Sequence, residues 1–234
     1  TRSTRLPVPV MLALMVVALL AAPHVWIEGF RLDAGVDDPG LRDTAGVQDV
    51  VVSRNTFTGF HYAIMLHPKS QDWHIADNVI VGDKELPTPG KKDPRAISGE
   101  GVEMAESIGG HVICYNSISR VADGFSYPGR GCDMYGNDIF DTTDDATELD
   151  RGWANNRLWG NRIANFGNAA LSFQPMRLGP WYHIRNQIIA GQHEDTEVRR
   201  PHVFKFRVQD RFVVLNNTIV FAGNLDSYSD CLFT

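Results

Sequence analysis

Residues 145–189 read DATELDRGWANNRLWGNRIANFGNAALSFQPMRLGPWYHIRNQII and carry the same unit twice. Each unit runs from a short apolar stretch through a polar or Gly-rich corner into a second apolar stretch. It closes on Asn-x-Ile, first as Asn161-Arg162-Ile163 and then as Asn186-Gln187-Ile188. The triplet recurs as Asn55-Thr56-Phe57, Asn78-Val79-Ile80, Asn116-Ser117-Ile118, Asn137-Asp138-Ile139 and Asn217-Thr218-Ile219. The intervals between the seven copies are 23, 38, 21, 24, 25 and 31 residues, and degenerate periods of that size signal a solenoid or a similar array. A chain that coils on itself must turn a corner at the same place in every coil. Asn suits that place because it tolerates unusual backbone angles and bonds nearby backbone. Stacked at about 4.8 Å, successive amides can also bond one another, as polar ladders do in cross-β stacks. The apolar residue two positions later returns to the interior.

The repeated Asn-x-Ile with Gly-rich corners, over roughly residues 24–222, resembles the right-handed parallel β-helix proteins, the fold of the pectate lyases and their relatives. The segments Asp144-Asp145 with Glu148 and Asp150, Ser172-Phe173-Gln174-Pro175, Gly179-Pro180 and Arg185-Asn186 look like a bacterial subgroup of β-helix proteins whose activity is uncharacterised. The fold class expected is therefore all-β, a right-handed parallel β-helix of roughly seven to eight coils over residues 23–234.

Composition agrees with one domain. Twenty-one Gly and twelve Pro suit many corners without the bias of a disordered chain. A net charge of −6 gives no electrostatic footprint for nucleic acid. Cys114, Cys132 and Cys231 have neither a disulfide framework nor a zinc spacing. Cys114 and Cys132 can face adjacent coils as small buried residues, or bridge in an oxidising compartment. No phosphate-binding loop, zinc-binding helix or nucleophile elbow is present. The first 22 residues, with Arg2, Arg5 and the apolar run VMLALMVVALLAA, read as a secretory leader or anchor, or else as a cap on the first coil. The expected location is secreted or cell-envelope, with any membrane contact made through that leader. Residues 226–234 show no amphipathic cap, so a truncated or unusual terminus is expected.

Laying the middle strands of successive coils over one another gives a register. Ile64, Leu66, Val102, Met104, Phe125, Leu149, Leu171, Phe173, Phe204 and Phe206 then point inward. An outward column contains Met65, Glu103, Glu148, Ser172 and Lys205, and a neighbouring one His67, Ala105, Asp150, Gln174 and Arg207. Such a wall suits a long, polar, repetitive ligand. The resemblance implies a polysaccharide groove along it, bounded by the 82–100 insertion and the acidic corner 141–145, in a protein expected as a monomer.

Two chemistries fit. In a lyase, a base takes the proton beside a uronate carboxylate whose charge is neutralised. Lys205 or Arg207 supplies base or charge stabilisation, while Asp144, Asp145, Glu148 and Asp150 are candidate calcium ligands, calcium preferring several oxygens. In a hydrolase, two carboxylates flank the bond. Glu148 with Asp150, or either with Glu103 or Asp123, fills those roles. Polygalacturonase-like β-helix enzymes pair an Asp-Asp with an Asn-Thr-Asp motif, and only the first has a counterpart here, at Asp144-Asp145. Glu103, His67, Ser172, Gln174 and Asp123 are the candidate substrate contacts. A polysaccharide lyase or uronate-modifying enzyme is the first expectation. A non-catalytic carbohydrate-binding solenoid and a glycoside hydrolase are the alternatives. Trp153, Trp159, Trp181 and Tyr182 read either as a sugar-stacking platform or as packing, and His74, His111 and His183 as structural residues.

Overall fold

The computed structural model describes residues 18–33, 39–84, 99–190, 202–208 and 210–221. Among these, twenty-four short strands form three all-parallel sheets of eight strands each. Every sheet takes each third strand in order, so the chain visits the first, second and third sheets once per coil and then climbs one rung. That is a parallel β-helix. Residues 1–17, 85–98 and 222–234 lie outside the described residues, and with them most of the proposed leader, the middle of the 82–100 insertion, Cys231 and the 226–234 terminus. Ala18–Leu20, inside the apolar run read as a leader, is a strand of the first sheet and pairs with Leu41–Asp43.

The Asn-x-Ile triplets build the corner between the second and third sheets. Their closing residues stack as one column of the third sheet, Phe57, Ile80, Ile118, Ile139, Ile163, Ile188 and Ile219, each opposite the next. All but Ile219 are fully buried, and cutting one Ile to Ala costs about 2–5 kcal/mol. The second sheet supplies a facing column of Val52, Ile75, Ile113, Met134, Leu158 and His183. His183 occupies a core position there, between Phe173, Trp181 and Phe212. Burial pushes its imidazole down to about 3.

The asparagine ladder is continuous. The side-chain oxygen of Asn161 accepts from the backbone N–H of Asn137 at 2.9 Å and from its side-chain amide at 3.0 Å. The same double contact joins Asn55 to Asn78, Asn78 to Asn116, Asn116 to Asn137, Asn161 to Asn186 and Asn186 to Asn217. The second amide hydrogen goes to a carbonyl of the coil before, as from Asn137 to Ile113. One detail differs from the sequence expectation. The unusual backbone angle belongs to the residue before each Asn: Arg54, Asp77, Tyr115, Gly136, Gly160, Arg185 and Asn216 have φ between 55° and 64°. Asn is selected for its amide, which donates and accepts in the same direction at every rung.

Cys114 and Cys132 are both free and buried. Cys114 stands opposite Tyr135, one rung on but three residues past Cys132, so the bridge considered from sequence is not formed.

Candidate functional site

Strand pairing on the first sheet fixes which side chains share its outer wall. Met65 is opposite Glu103, Glu103 opposite Ser126, Ser126 opposite Glu148, Glu148 opposite Ser172 and Ser172 opposite Lys205. The column expected from sequence is therefore formed, with Ser126 as its added member and Arg42 opposite Met65 at its start. The residues expected inward are buried or packed on the core, Phe206 being the least covered.

A second acidic column runs beside it, where the third sheet turns into the first. Glu100 is opposite Asp123, and Asp145 follows, its backbone N–H donating to Asp123 Oδ1 at 2.8 Å. Each of these acids precedes a small residue: Gly101, Gly124 and Ala146. A Cβ on Gly101 would lie 2.6 Å from the Ile118 side chain, and one on Gly124 would lie 2.7 Å from that of Ile139. The small residues thus face the core, and the acids before them turn toward the wall. Glu100 lies outside the columns expected from sequence because it sits at the end of the 82–100 insertion. The acid–small–apolar pattern Glu100-Gly101-Val102, Asp123-Gly124-Phe125 is the signal that finds it.

Glu100, Asp123 and Glu148 each present an oxygen within 4.8 Å of the other two. Glu100 is 5% exposed and Asp123 2% exposed. Glu100 Oε2, Glu103 Oε2, Ser126 Oγ, Asp144 Oδ1 and Asp145 Oδ1 are buried without a hydrogen-bond partner among the described residues. Burial, then the charges of Glu103 and Glu148, push Glu100 up to about 8. Burial, then the charges of Glu148, Asp145 and Asp144, hold Asp123 well above the usual carboxylate range. Burial and Asp150 raise Glu148 to about 7. Glu103 is raised by burial against the pull of Arg42. Several carboxyls therefore share a space whose electrostatics resist their ionising together.

Asp145, raised by burial and by Asp144 to about 6, meets the Lys205 ammonium at 3.0 Å. Burial works to lower Lys205, but Asp145, Asp144 and Asp150 override it and leave the ammonium raised. Asp150 accepts from Ser172 Oγ at 3.0 Å and from the Gln174 backbone N–H at 2.5 Å, while burial raises its carboxyl. Of the four calcium ligands expected from sequence, Asp144, Asp145, Glu148 and Asp150, only Glu148 belongs to the converging group. Asp145 turns to Lys205 and Asp150 to the next coil. His67 closes its own turn, its Nδ1 accepting from the Lys69 N–H at 3.1 Å. Arg207 is exposed. Trp181 is core, whereas Trp153 and Trp159 are partly exposed. His111 is core as well, its ring held by Ser107 Oγ and by the Trp73 N–H, and burial lowers it to about 4. His74 is on the surface.

A hard divalent cation fits Glu100, Asp123 and Glu148. All three donors are carboxylate oxygens, they converge, and one oxygen of Glu100 has no competing donor among the described residues. No family model, curated protein or solved structure matches the chain.

Proposed function

We propose that the protein is a carbohydrate-active β-helix protein of pectate-lyase-like design that takes an acidic polysaccharide across the outer wall of its first sheet. The substrate would lie over Glu100, Asp123 and Glu148, which would hold calcium, and the reaction would be β-elimination beside a uronate carboxylate. The observation that supports this reading most is the convergence of those three carboxylates within 4.8 Å. A bound calcium would supply charge neutralisation for them and for the uronate. On this reading Lys205 is the base, held in line with Glu148 through Ser172. It serves only as a neutral amine, so it must first give up a proton to solvent against the hold of Asp145, Asp144 and Asp150. Elimination moves the proton beside the carboxylate to the amine, forms the carbon–carbon double bond and expels the glycosidic oxygen, which takes its proton from water. Arg207 would stabilise charge at the exposed rim. A polymer of this kind accords with a secreted or cell-envelope location and a monomeric protein.

Glycoside hydrolysis is the second reading, supported by one observation. Glu148 lies within 4.8 Å of the Glu100 and Asp123 carboxyls, and burial pushes it up to about 7, which suits a general acid. The test is incubation with polygalacturonate and with alginate, in calcium or in chelator. Calcium-dependent absorbance of unsaturated ends, lost in Glu148→Gln, is the expected result. New reducing ends without unsaturation would establish the hydrolase, and saturable binding without either product the non-catalytic solenoid.

A further inference from the structure

Immediately past the acidic wall, where the first sheet turns toward the second, four successive coils contribute Glu106, Tyr127, Arg151 and Arg177 to one place. The backbone N–H of Glu106 donates to the Tyr127 carbonyl at 2.8 Å, and the Arg177 N–H to the Gly152 carbonyl at 3.0 Å, so the corners stack directly. Both guanidiniums converge on one carboxylate. Arg151 Nη1 is 3.2 Å from Glu106 Oε1, and Arg177 Nη2 is 2.6 Å from Glu106 Oε2. Each also lies over an aromatic ring, Arg151 over Tyr127 at 5.5 Å and Arg177 over Trp153 at 5.3 Å. The group is continuous with the wall: the Tyr127 backbone N–H donates to the Glu148 carbonyl at 3.0 Å, and the Arg151 charge acts on Asp150.

We propose that Arg151 and Arg177, lying over Tyr127 and Trp153, form a clamp for a substrate carboxylate, which deepens the reading of the wall as a polyuronate site and rests on it. Two cations share the one carboxylate they contact, Glu106, with Asp150 the further acid acting on Arg151, so the pair is a local concentration of positive charge. It stands beside a wall that otherwise repels a polyanion. The arginine side chains are 56% and 41% exposed, so guanidinium edges not spent on Glu106 face solvent. Cation–π contact with the rings, together with Glu106, limits their motion in advance, which reduces the ordering cost of binding. A planar fork of donors matches a carboxylate in a way a lysine ammonium cannot. Glu106 holds the pair in the geometry an incoming uronate would use, and competes with it.

The test is calorimetric titration of the full chain, in calcium, with polygalacturonate and with its fully methyl-esterified form. Arg151→Ala/Arg177→Ala is expected to weaken polygalacturonate binding at least about tenfold, the loss of one or two charge-assisted bonds, and to leave the ester unaffected. Arg151→Lys/Arg177→Lys, which keeps the charges, is expected to recover only part of the affinity. Glu106→Gln is expected to tighten binding by removing the competitor. Thermal melts establish that each variant is folded, and the lysine pair serves if the alanine pair is not. Wild-type binding that the folded arginine variants leave unchanged, or equal losses for acid and ester, overturns the clamp while the acidic wall stands. Absence of any polyuronate binding by the wild type overturns both.

Discussion

The molecule carries two polar ladders at equivalent places, the entrances to successive strands, and they differ in one respect. The asparagine ladder between the second and third sheets is neutral, and each side chain both donates and accepts. Asn116, Asn137 and Asn161 each bond the rung on either side and a backbone carbonyl as well. The acidic ladder between the third and first sheets, Glu100, Asp123 and Asp145, is made of groups that, once ionised, only accept. Stacking supplies Asp123 with one backbone N–H, from Asp145, and leaves the rest unmet, so they draw on protons, on Lys205, or on a cation. A ladder that completes its own hydrogen bonding is architecture. One that cannot is a place for chemistry.

Breaking the neutral ladder should cost most. Asn137→Ala orphans amide contacts on both neighbouring rungs, and at about 1–3 kcal/mol for each unsatisfied buried group a loss of about 3–5 kcal/mol is expected in urea denaturation. In the acidic ladder, Lys205→Met strands the buried Asp145 carboxylate. Removing one partner of a buried pair costs about 3–5 kcal/mol; because Lys205 is 20% exposed, about 2–3 kcal/mol is expected. The double variant Asp145→Asn/Lys205→Met should recover most of it. Glu100→Gln sharpens the contrast in the opposite sense. In chelator at pH about 8 it should stabilise the protein by about 1–2 kcal/mol, the scale of one relieved repulsion between partly buried charges. The same variant should bind calcium weakly.

The smallest effect expected is on pH dependence. Glu100, Asp145 and Glu148 bind protons more tightly folded than their ordinary values of 4.5, 3.8 and 4.5 imply. Their contribution to stability is complete below those values and is lost as pH rises through about 6, 7 and 8. His111 and His183 act in reverse: their folded values lie below 6.5, so their contribution is lost as pH falls from there toward about 4 and 3. From pH about 6.5 to 8.5, the carboxyls therefore dominate among these groups, and Tm in chelator should fall by a few degrees. Glu100→Gln should flatten that slope, and Asn55→Ala, at one end of the neutral ladder, should not.

The neutral ladder is legible in the sequence because its determinant is local: an Asn fixed two residues before an apolar one, repeated seven times. The column Met65, Glu103, Glu148, Ser172 and Lys205 is legible for a related reason, since strand alternation carries each outward residue to the same wall. The cation group is not. Asp144, Asp145, Glu148 and Asp150 look like a ligand set because they are near in sequence, but the corner and the strand send Asp145 to Lys205 and Asp150 to Ser172. Proximity in a coil is set across rungs. Glu100 comes from a coil separated from that of Asp123 by 23 residues, and the insertion before it hides the alignment. His67 illustrates the same limit: a residue placed by alternation on the wall is used instead by its own turn.

The measurement that bears most directly on the unsatisfied acidic ladder is the melting temperature with calcium or with chelator at pH about 8. Wild-type protein should melt several degrees higher in calcium, because binding to the folded state alone adds stability by mass action. The triple variant Glu100→Gln/Asp123→Asn/Glu148→Gln should be insensitive to calcium and already melt above the calcium-free wild type. A wild-type Tm unmoved by millimolar calcium, together with a triple variant that melts lower, would contradict the account.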